Sequence, residues 1–277
     1  MTRTVRLPDG TFVPALGQGT WHTGESSARQ RQEIAAIRLG VELGMTLVDT
    51  AEMYGEGGAE EMLGEALQNL REQVFLVSKV YPQNAGRGRI ERACEASLKR
   101  LKTDRLDLYL LHWRGSVPLA ETVEGMEALV AAGMIRQWGV SNFDARDMQE
   151  LWSVGGEACA TNQILYNVTE RGPEYELMPE LAQRGVPVMA YSPVAQGRLP
   201  RSPALDAVAA RHKATPFQIA LAWTLRDPAV IAIPKATSEA HVRDNSLAGD
   251  ITLTPQDLAE IDADFPPPSR RTPLSML

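Results

Sequence analysis

Apolar residues gather along the chain into short runs with few polar interruptions, and between the runs they recur at helical spacing. The runs are ALGQGTW (Ala15 to Trp21), MTLVD (Met45 to Asp49), VFLVSK (Val74 to Lys79), LDLYLLHW (Leu106 to Trp113), IRQWGVSN (Ile135 to Asn142), CATNQ (Cys159 to Gln163), VPVMAYSP (Val186 to Pro193) and VIAIPK (Val230 to Lys235), eight in all. Runs of this kind are strands buried on both faces. Ile34, Ile37 and Val41 mark one helix between them, and Met62, Leu63, Ala66 and Leu67 a second. Ile90, Ala93, Leu98 and Leu101 mark a third. Ser26 and Ser27 are candidate caps for a helix reaching Leu43, which Gly44 closes. Further helices run from Leu119 to Ala132, from the cap Asp144 to Trp152, to near Arg184, and from Ala204 to Arg211. Thr215-Pro216 supplies a cap and a first-turn proline for FQIALAWTLR.

Strands alternating with helices pair in parallel, and a period of about 30 residues is that of a βα unit. Eight such units close as a (β/α)8 TIM barrel, an α/β fold in which residues 1–277 form a single domain. Val5 to Val13 adds an N-terminal β-hairpin around Pro8-Asp9-Gly10. Short extra helices and the proline-rich tail FPPPSRRTPLSML end the chain and should lie over the barrel. The rival, an open doubly wound sheet, would want GxGxxG in its first turn. Gly17-Gln18-Gly19-Thr20-Trp21-His22 lacks the third glycine.

Composition narrows the function. A net charge of −7 with no basic block argues against nucleic acid or an anionic membrane as partner. No apolar run approaches the roughly 18 residues that span a bilayer, and the N-terminus has no signal-peptide core. Cys94 and Cys159 are too few for a disulfide framework, and the histidines His22, His112, His212 and His241 fall at unrelated places, so no metal site is expected. The expected location is cytoplasmic.

In a barrel of this kind chemistry lies at the C-terminal strand ends. Those ends read Gly19-Thr20-Trp21, Asp49, Lys79, His112-Trp113, Ser141-Asn142, Gln163, Tyr191-Ser192 and Lys235. A single such residue is explained by ordinary packing, but a full ring is not. Asp49, Lys79 and His112 leave adjacent strands, and Tyr54 follows on a glycine-rich loop. An ammonium paired with a carboxylate and aimed at a phenol should lower the phenol's pKa from about 10 and make it an acid at neutral pH. An imidazole beside it can hydrogen-bond a carbonyl oxygen. The set suits an oxygen that gains negative charge as a carbonyl accepts hydride. A Schiff-base role for Lys79 is the alternative, and the adjacent carboxylate argues against it. Lys235, Thr237, Ser238 and the helix start after them make an anion site.

Together GQGTW, DTAEMYG, VSK, LHW, GVSNF, TNQ, YSP and IPKATS resemble the aldo-keto reductase superfamily over almost the whole chain. The resemblance is closest to small bacterial reductases of methylglyoxal and 2,5-diketo-D-gluconate type. It implies Tyr54 as general acid, Lys79 and Asp49 tuning it, and His112 orienting the carbonyl. It implies NADPH extended across the barrel mouth without a Rossmann domain. Ser141, Asn142 and Gln163 would hold the carboxamide, Tyr191 would stack on the nicotinamide, and Ser192, Pro193, Gln196 and Gly197 would hold the pyrophosphate. Lys235, Ser238, His241 and Asn245 would hold the adenosine 2′-phosphate and adenine. Gly19, Thr20, Trp21, Asp49, Ile233, Pro234, Ala236 and Thr237 complete the implied cofactor contacts.

Two positions depart from the family pattern. His241 stands where an Arg is usual, and Ala236 where Ser is common. NADPH should still be preferred, but discrimination against NADH should be weaker. The substrate pocket would be lined by Trp21, Tyr54, Tyr81, His112 and Trp113, with Met53 and Arg114 near its mouth. The tail is too short for a deep lid, so small carbonyls are expected: α-dicarbonyls such as methylglyoxal, and keto-sugar acids if Arg114 points inward. The resemblance also admits a regulatory subunit that binds nicotinamide and turns over slowly. The intact Tyr54, Lys79 and His112 weigh against that. A monomer or weak homo-oligomer is expected.

Overall fold

The computed structural model describes residues 3–277. Strands β1 (Thr4–Arg6) and β2 (Phe12–Pro14) form the antiparallel hairpin, with Val5 opposite Val13. Asp9 shapes its turn by accepting from the Thr11 amide at 2.8 Å. The strands that follow are β3 (Gln18–Gly19), β4 (Leu47–Asp49), β5 (Phe75–Val80), β6 (Leu106–Leu111), β7 (Ile135–Ser141), β8 (Asn162–Leu165), β9 (Val188–Tyr191) and β10 (Val230–Ala232). They lie side by side in chain order, each parallel to the next. Parallel bridges from Leu16 to Ala232 and from Gly19 to Lys235 bring β10 back onto β3 and close the barrel. Helices α1 (Ser27–Glu42), α2 (Gly58–Ala66), α3 (Arg89–Leu101), α4 (Leu119–Ala131), α5 (Ala145–Ser153) and α6 (Leu177–Gln183) each make one crossover. Helices α7 (Pro203–His212) and α8 (Pro216–Thr224) share the crossover to β10, and α9 (Glu239–Ala248) and α10 (Pro255–Asp264) follow it.

The two-residue period of a strand sorts the side chains into layers. Leu47, Val77, Leu108, Leu110, Met189, Ile231 and Ile233 form the barrel interior, and Val5, Leu7 and Val13 of the hairpin join the same cluster. Val48, Leu76, Tyr109, Leu111 and Ile164 face outward and pack against helix residues such as Ile37, Leu63, Ile90 and Leu98. Each such aliphatic side chain contributes about 1.5–3 kcal/mol by burial. One further step of two along the inward face leads from Leu47 to Asp49, from Val77 to Lys79 and from Leu110 to His112. The same step leads from Met189 to Tyr191 and from Ile233 to Lys235. The register that fills the barrel with aliphatic side chains therefore delivers the polar and ionisable ones to its mouth.

Helix boundaries follow local chemistry. Asp144 caps α5 through a reciprocal box with Asp147, and Thr215 caps α8 in the same way with Gln218 ahead of a first-turn proline. Thr254 and Asp257 repeat the device at α10. Ser26 holds the N-cap position of α1 without a side-chain bond to it. One strand end differs from the pattern: β8 begins at Asn162 and runs on through Ile164 and Leu165, so Gln163 lies inside it. The apolar pair after Gln163 continues the ladder with β9.

The tail is fastened to the barrel. Arg171, almost fully buried, pairs with Glu174 at 2.8 Å and Asp262 at 2.6 Å and donates to the Phe265 carbonyl, holding the end of α10. Arg271 pairs with Glu176 at 2.9 Å. No helix among the described residues is long and apolar enough to cross a membrane. Cys94 and Cys159 are buried, and burial pushes both thiols up to about 12.

Candidate active site at the mouth of the barrel

Asp49 ends β4, and the chain then turns through Ala51 to Met53 into a 3₁₀ turn, Tyr54–Gly57. Gly57 takes φ +94, which a β-carbon would strain, and Gly24 packs so tightly that an added Cβ would lie 2.3 Å from the Gly58 carbonyl. These glycines let the loop carrying Trp21 touch the loop carrying Tyr54. Trp21 meets the Tyr54 ring edge-on at 4.9 Å. Tyr54 is thereby buried with Ala51 and Ala59 under Trp21 and Met53.

Lys79 arrives from β5 with no exposed surface. Its Nζ donates to Asp49 Oδ2 at 2.7 Å, to the Thr50 carbonyl at 2.9 Å and to the Tyr54 hydroxyl at 2.9 Å. All three protons of an ammonium are thus engaged, and no lone pair is left for Schiff-base attack. Gln163 Nε2 reaches the other oxygen, Asp49 Oδ1, at 2.7 Å. Burial raises the Asp49 pKa against the opposing pull of Lys79 and Gln163, and lowers that of Lys79 against the pull of Asp49.

The Tyr54 phenol does not follow the expectation that Lys79 lowers its pKa. Burial, and then the Asp49 carboxylate, raise it well above 10, so the phenol keeps its proton. His112 sits beyond, its ring 5.8 Å from that of Tyr54. Burial and the Lys79 charge push its imidazole down to about 2, so it is neutral. Its Nδ1 is buried with no partner among the described residues.

Across the mouth the polar groups form a continuous net. Ser141 Oγ donates to the Gln163 carbonyl at 2.9 Å. Asn142 Nδ2 donates to the His112 carbonyl and to Ser141 Oγ, each at 3.1 Å, and Asn142 Oδ1 accepts from the Tyr191 hydroxyl at 2.9 Å. Asn142 and Ser192, the residues just past β7 and β9, are left-handed, at φ +59 and +49. Such conformations cluster where function over-determines the backbone. Ala195, Gln196 and Gly197 are left-handed as well, in an exposed loop. Beside it Gly19 admits no side chain, since a Cβ there would lie 2.8 Å from the Ile233 carbonyl. Thr20 donates to the Asp49 carbonyl at 2.9 Å, and Pro234 accepts from the Gly19 amide at 3.1 Å.

The far end of the groove is open. Lys235 is exposed and forms no ion pair among the described residues. Ser238 caps α9 by accepting from the His241 amide at 3.3 Å, with Ala236 and Thr237 half-buried before it. His241 is exposed on the first turn of α9 and Asn245 is half-buried one turn on.

The family model for the aldo/keto reductase family matches residues 15–264. The chain belongs to that family. It is 53% identical to methylglyoxal reductase YeaE of Escherichia coli K12 over 281 aligned positions, covering 99% of both chains. It is 32% identical to the glyoxal reductase of Bacillus subtilis over 94% of this chain and 92% of that one. A crystal structure of an aldo/keto reductase from Klebsiella pneumoniae in complex with NADP and acetate superposes with TM-score 0.97 at 52% identity, all of both chains being covered. A second from that organism, in complex with NADPH, does so with TM-score 0.97 at 53% identity.

In this aldo-keto reductase the structure gathers Asp49, Tyr54, Lys79, His112 and Gln163 into one constellation, and Trp21, Tyr81 and Trp113 stand beside it. Tyr81 meets Trp113 edge-on at 5.8 Å. Glu52, a carboxylate with no assigned role in the sequence, accepts from the Tyr81 amide at 2.7 Å and from Asn84 at 3.1 Å, fixing the loop that bears Tyr81. Asn167 was not visible in the sequence either. It is buried and donates to the Ser192 carbonyl at 2.9 Å, holding that residue in its left-handed form. The only sequence signal is Asn-x-Thr after a strand, where an Asx-turn accepts from Thr169. Arg114 does not point a free guanidinium inward; it pairs with Glu150 at 2.8 Å and donates to Val117 O at 3.1 Å and to Gly115 O. Burial pushes the Tyr191 hydroxyl up to about 12.

Proposed function

We propose that this enzyme reduces small aldehydes and ketones with NADPH, α-dicarbonyls such as methylglyoxal foremost. The observation that carries the reading is Lys79 at 2.7 Å from Asp49 and 2.9 Å from the Tyr54 hydroxyl, with a neutral His112 beside them. The relatives named for methylglyoxal and glyoxal reduction, and the neighbours holding NADP or NADPH, support the substrate and the cofactor.

The reduced nicotinamide supplies the hydride; the chain supplies the rest. His112 donates a hydrogen bond to the substrate carbonyl and polarises it. Tyr54 gives its proton to that oxygen as negative charge develops there. A high phenol pKa suits this order of events, because the proton stays in place until an alkoxide, a far stronger base, calls for it. Lys79 then stabilises the phenolate, and Asp49, held by Gln163, keeps the ammonium aimed. Ser141, Asn142 and Gln163 would hold the carboxamide beside Tyr191. Ser192, Pro193, Gln196 and Gly197 would take the pyrophosphate. Ile233, Pro234, Lys235, Ala236, Thr237, Ser238, His241 and Asn245 would line the adenosine end. The residues present fit that ligand: Gly19 leaves its backbone bare beside Ile233, and Lys235 supplies a cation beside the capped start of α9. The residues of this reading all come from one chain, in keeping with a monomer or weak homo-oligomer acting in the cytoplasm.

Following NADPH absorbance with methylglyoxal and a panel of aldehydes tests the reading. Tyr54→Phe should lower kcat by about two to four orders of magnitude, the usual worth of general-acid catalysis. Near-normal turnover in that variant would overturn the mechanism.

A further inference from the structure

The substrate side of the mouth is built from four strand-end loops, those carrying Trp21, Tyr54, Tyr81 and Trp113. Apart from Lys79 and His112, and from Arg89, which opens α3 beside Gly86 with no ion pair among the described residues, these loops hold the cations or potential cations His22, Arg87 and Arg114. Each is matched by a carboxylate: His22 by Glu25 at 3.0 Å, Arg87 by Glu124 at 2.6 Å and Arg114 by Glu150 at 2.8 Å. Arg114 is the most firmly held, since the Gly115 and Val117 carbonyls accept from its second nitrogen. Freeing it would cost those bonds as well as the ion pair. Lys79 is enclosed beneath Tyr54 with all three protons engaged, and His112 is neutral.

The same loops carry carboxylates that no cation matches. Glu52 accepts only from neutral donors, the Tyr81 amide and Asn84. Glu56 is exposed and forms no ion pair among the described residues. Both lie near enough to Tyr81 to raise its pKa, behind the effect of burial. A substrate carboxylate entering here would lose water, meet no unmatched cation on these loops and face two like charges. A neutral carbonyl compound would meet none of these costs.

We infer that this site selects neutral open-chain carbonyl compounds and discriminates against those bearing a carboxylate, with the Glu150–Arg114 pair as the determinant. The inference rests on the carbonyl-reductase reading and divides its substrates by charge, which excludes keto acids and keto-sugar acids as good substrates.

A matched pair tests it: 4-oxobutanoate and its methyl ester, whose aldehyde is insulated from the carboxyl group by two methylenes and so has the same intrinsic reactivity. With NADPH and the wild-type enzyme, kcat/KM should favour the ester by at least about ten-fold, the effect of one unfavourable interaction near 1.4 kcal/mol. Glu150→Ala should leave the ester's kcat/KM unchanged and raise that of the acid several-fold, by leaving the Arg114 charge unmatched. Adding Arg114→Ala to Glu150→Ala should restore the original gap. Equal kcat/KM for acid and ester in the wild type would overturn the inference. So would a single Arg114→Ala variant that loses turnover of the acid alone. No NADPH oxidation with either compound would overturn the carbonyl-reductase reading itself, and this inference with it.

Discussion

Lys79 and Lys235 come from the inner faces of parallel strands in one barrel, yet they work in different media. Lys79 has no exposed surface and is held by a carboxylate, a carbonyl and a phenol. Lys235 is exposed beside the capped start of α9, with no ion pair among the described residues. A charge taken out of water must be matched within the fold, so Lys79 cannot be separated from Asp49. A charge left in water can wait for a ligand, and its attraction is weak, screened by salt and reversible. On the proposed reading, the catalytic end is therefore assembled during folding, and the adenosine end would be completed by the cofactor.

The largest test of this contrast is stability. Lys79→Met leaves Asp49 buried without its cation and should cost about 3–5 kcal/mol. Lys235→Met should stay within about 0.5 kcal/mol of wild type while raising the KM for NADPH. Urea unfolding of both variants compares them directly, and similar losses would erase the distinction.

His112 offers a second test. Its folded-state pKa, about 2, lies below the unfolded value of about 6.5. The unfolded chain therefore binds a proton that the folded one refuses. This contribution is fully present above pH 6.5 and is lost at about 1.4 kcal/mol per pH unit as pH falls below it. His112→Gln should flatten the fall of stability between pH 6.5 and 5. Identical slopes in wild type and variant would mean that the ring takes up its proton while folded.

The smallest effect belongs to the open end. His241→Arg adds a permanent charge beside Lys235 and should raise the ratio of kcat/KM for NADPH over NADH by roughly ten-fold, about the worth of one charge-assisted hydrogen bond. An unchanged ratio would place the 2′-phosphate elsewhere. Wild-type kcat/KM values equal for the two cofactors would remove the case for Lys235 and Ser238 as phosphate ligands.

Much of this was legible in the chain because a strand has period two. Once VFLVSK, LDLYLLHW and VPVMAYSP are strands with aliphatic inner faces, Lys79, His112 and Tyr191 must share a barrel mouth. Composition carries no such information about partners that arrive from elsewhere. Gln163 to Asp49 spans 114 positions, and neither residue's neighbourhood announces the other. Glu52 sits two residues before Tyr54 but acts on the backbone of Tyr81, across a strand boundary. Arg114 has the sequence setting of a substrate contact, and only the fold brings Glu150 of α5 to pair with it.

The periodicity of apolar residues, the caps at Asp144, Thr215 and Ser238, and the glycines after Tyr54 were sufficient by themselves for the barrel, the loops and the residue types at the strand ends. These are local properties, decided by backbone geometry and by which face of an element is apolar. The protonation of Tyr54 and His112, the pairing of Arg114 with Glu150 and the clamp of Asn167 on Ser192 came only with the tertiary structure. Each depends on how much water is excluded and on which charges lie within a few ångströms. The order of residues along a chain does not specify either quantity until the chain has folded.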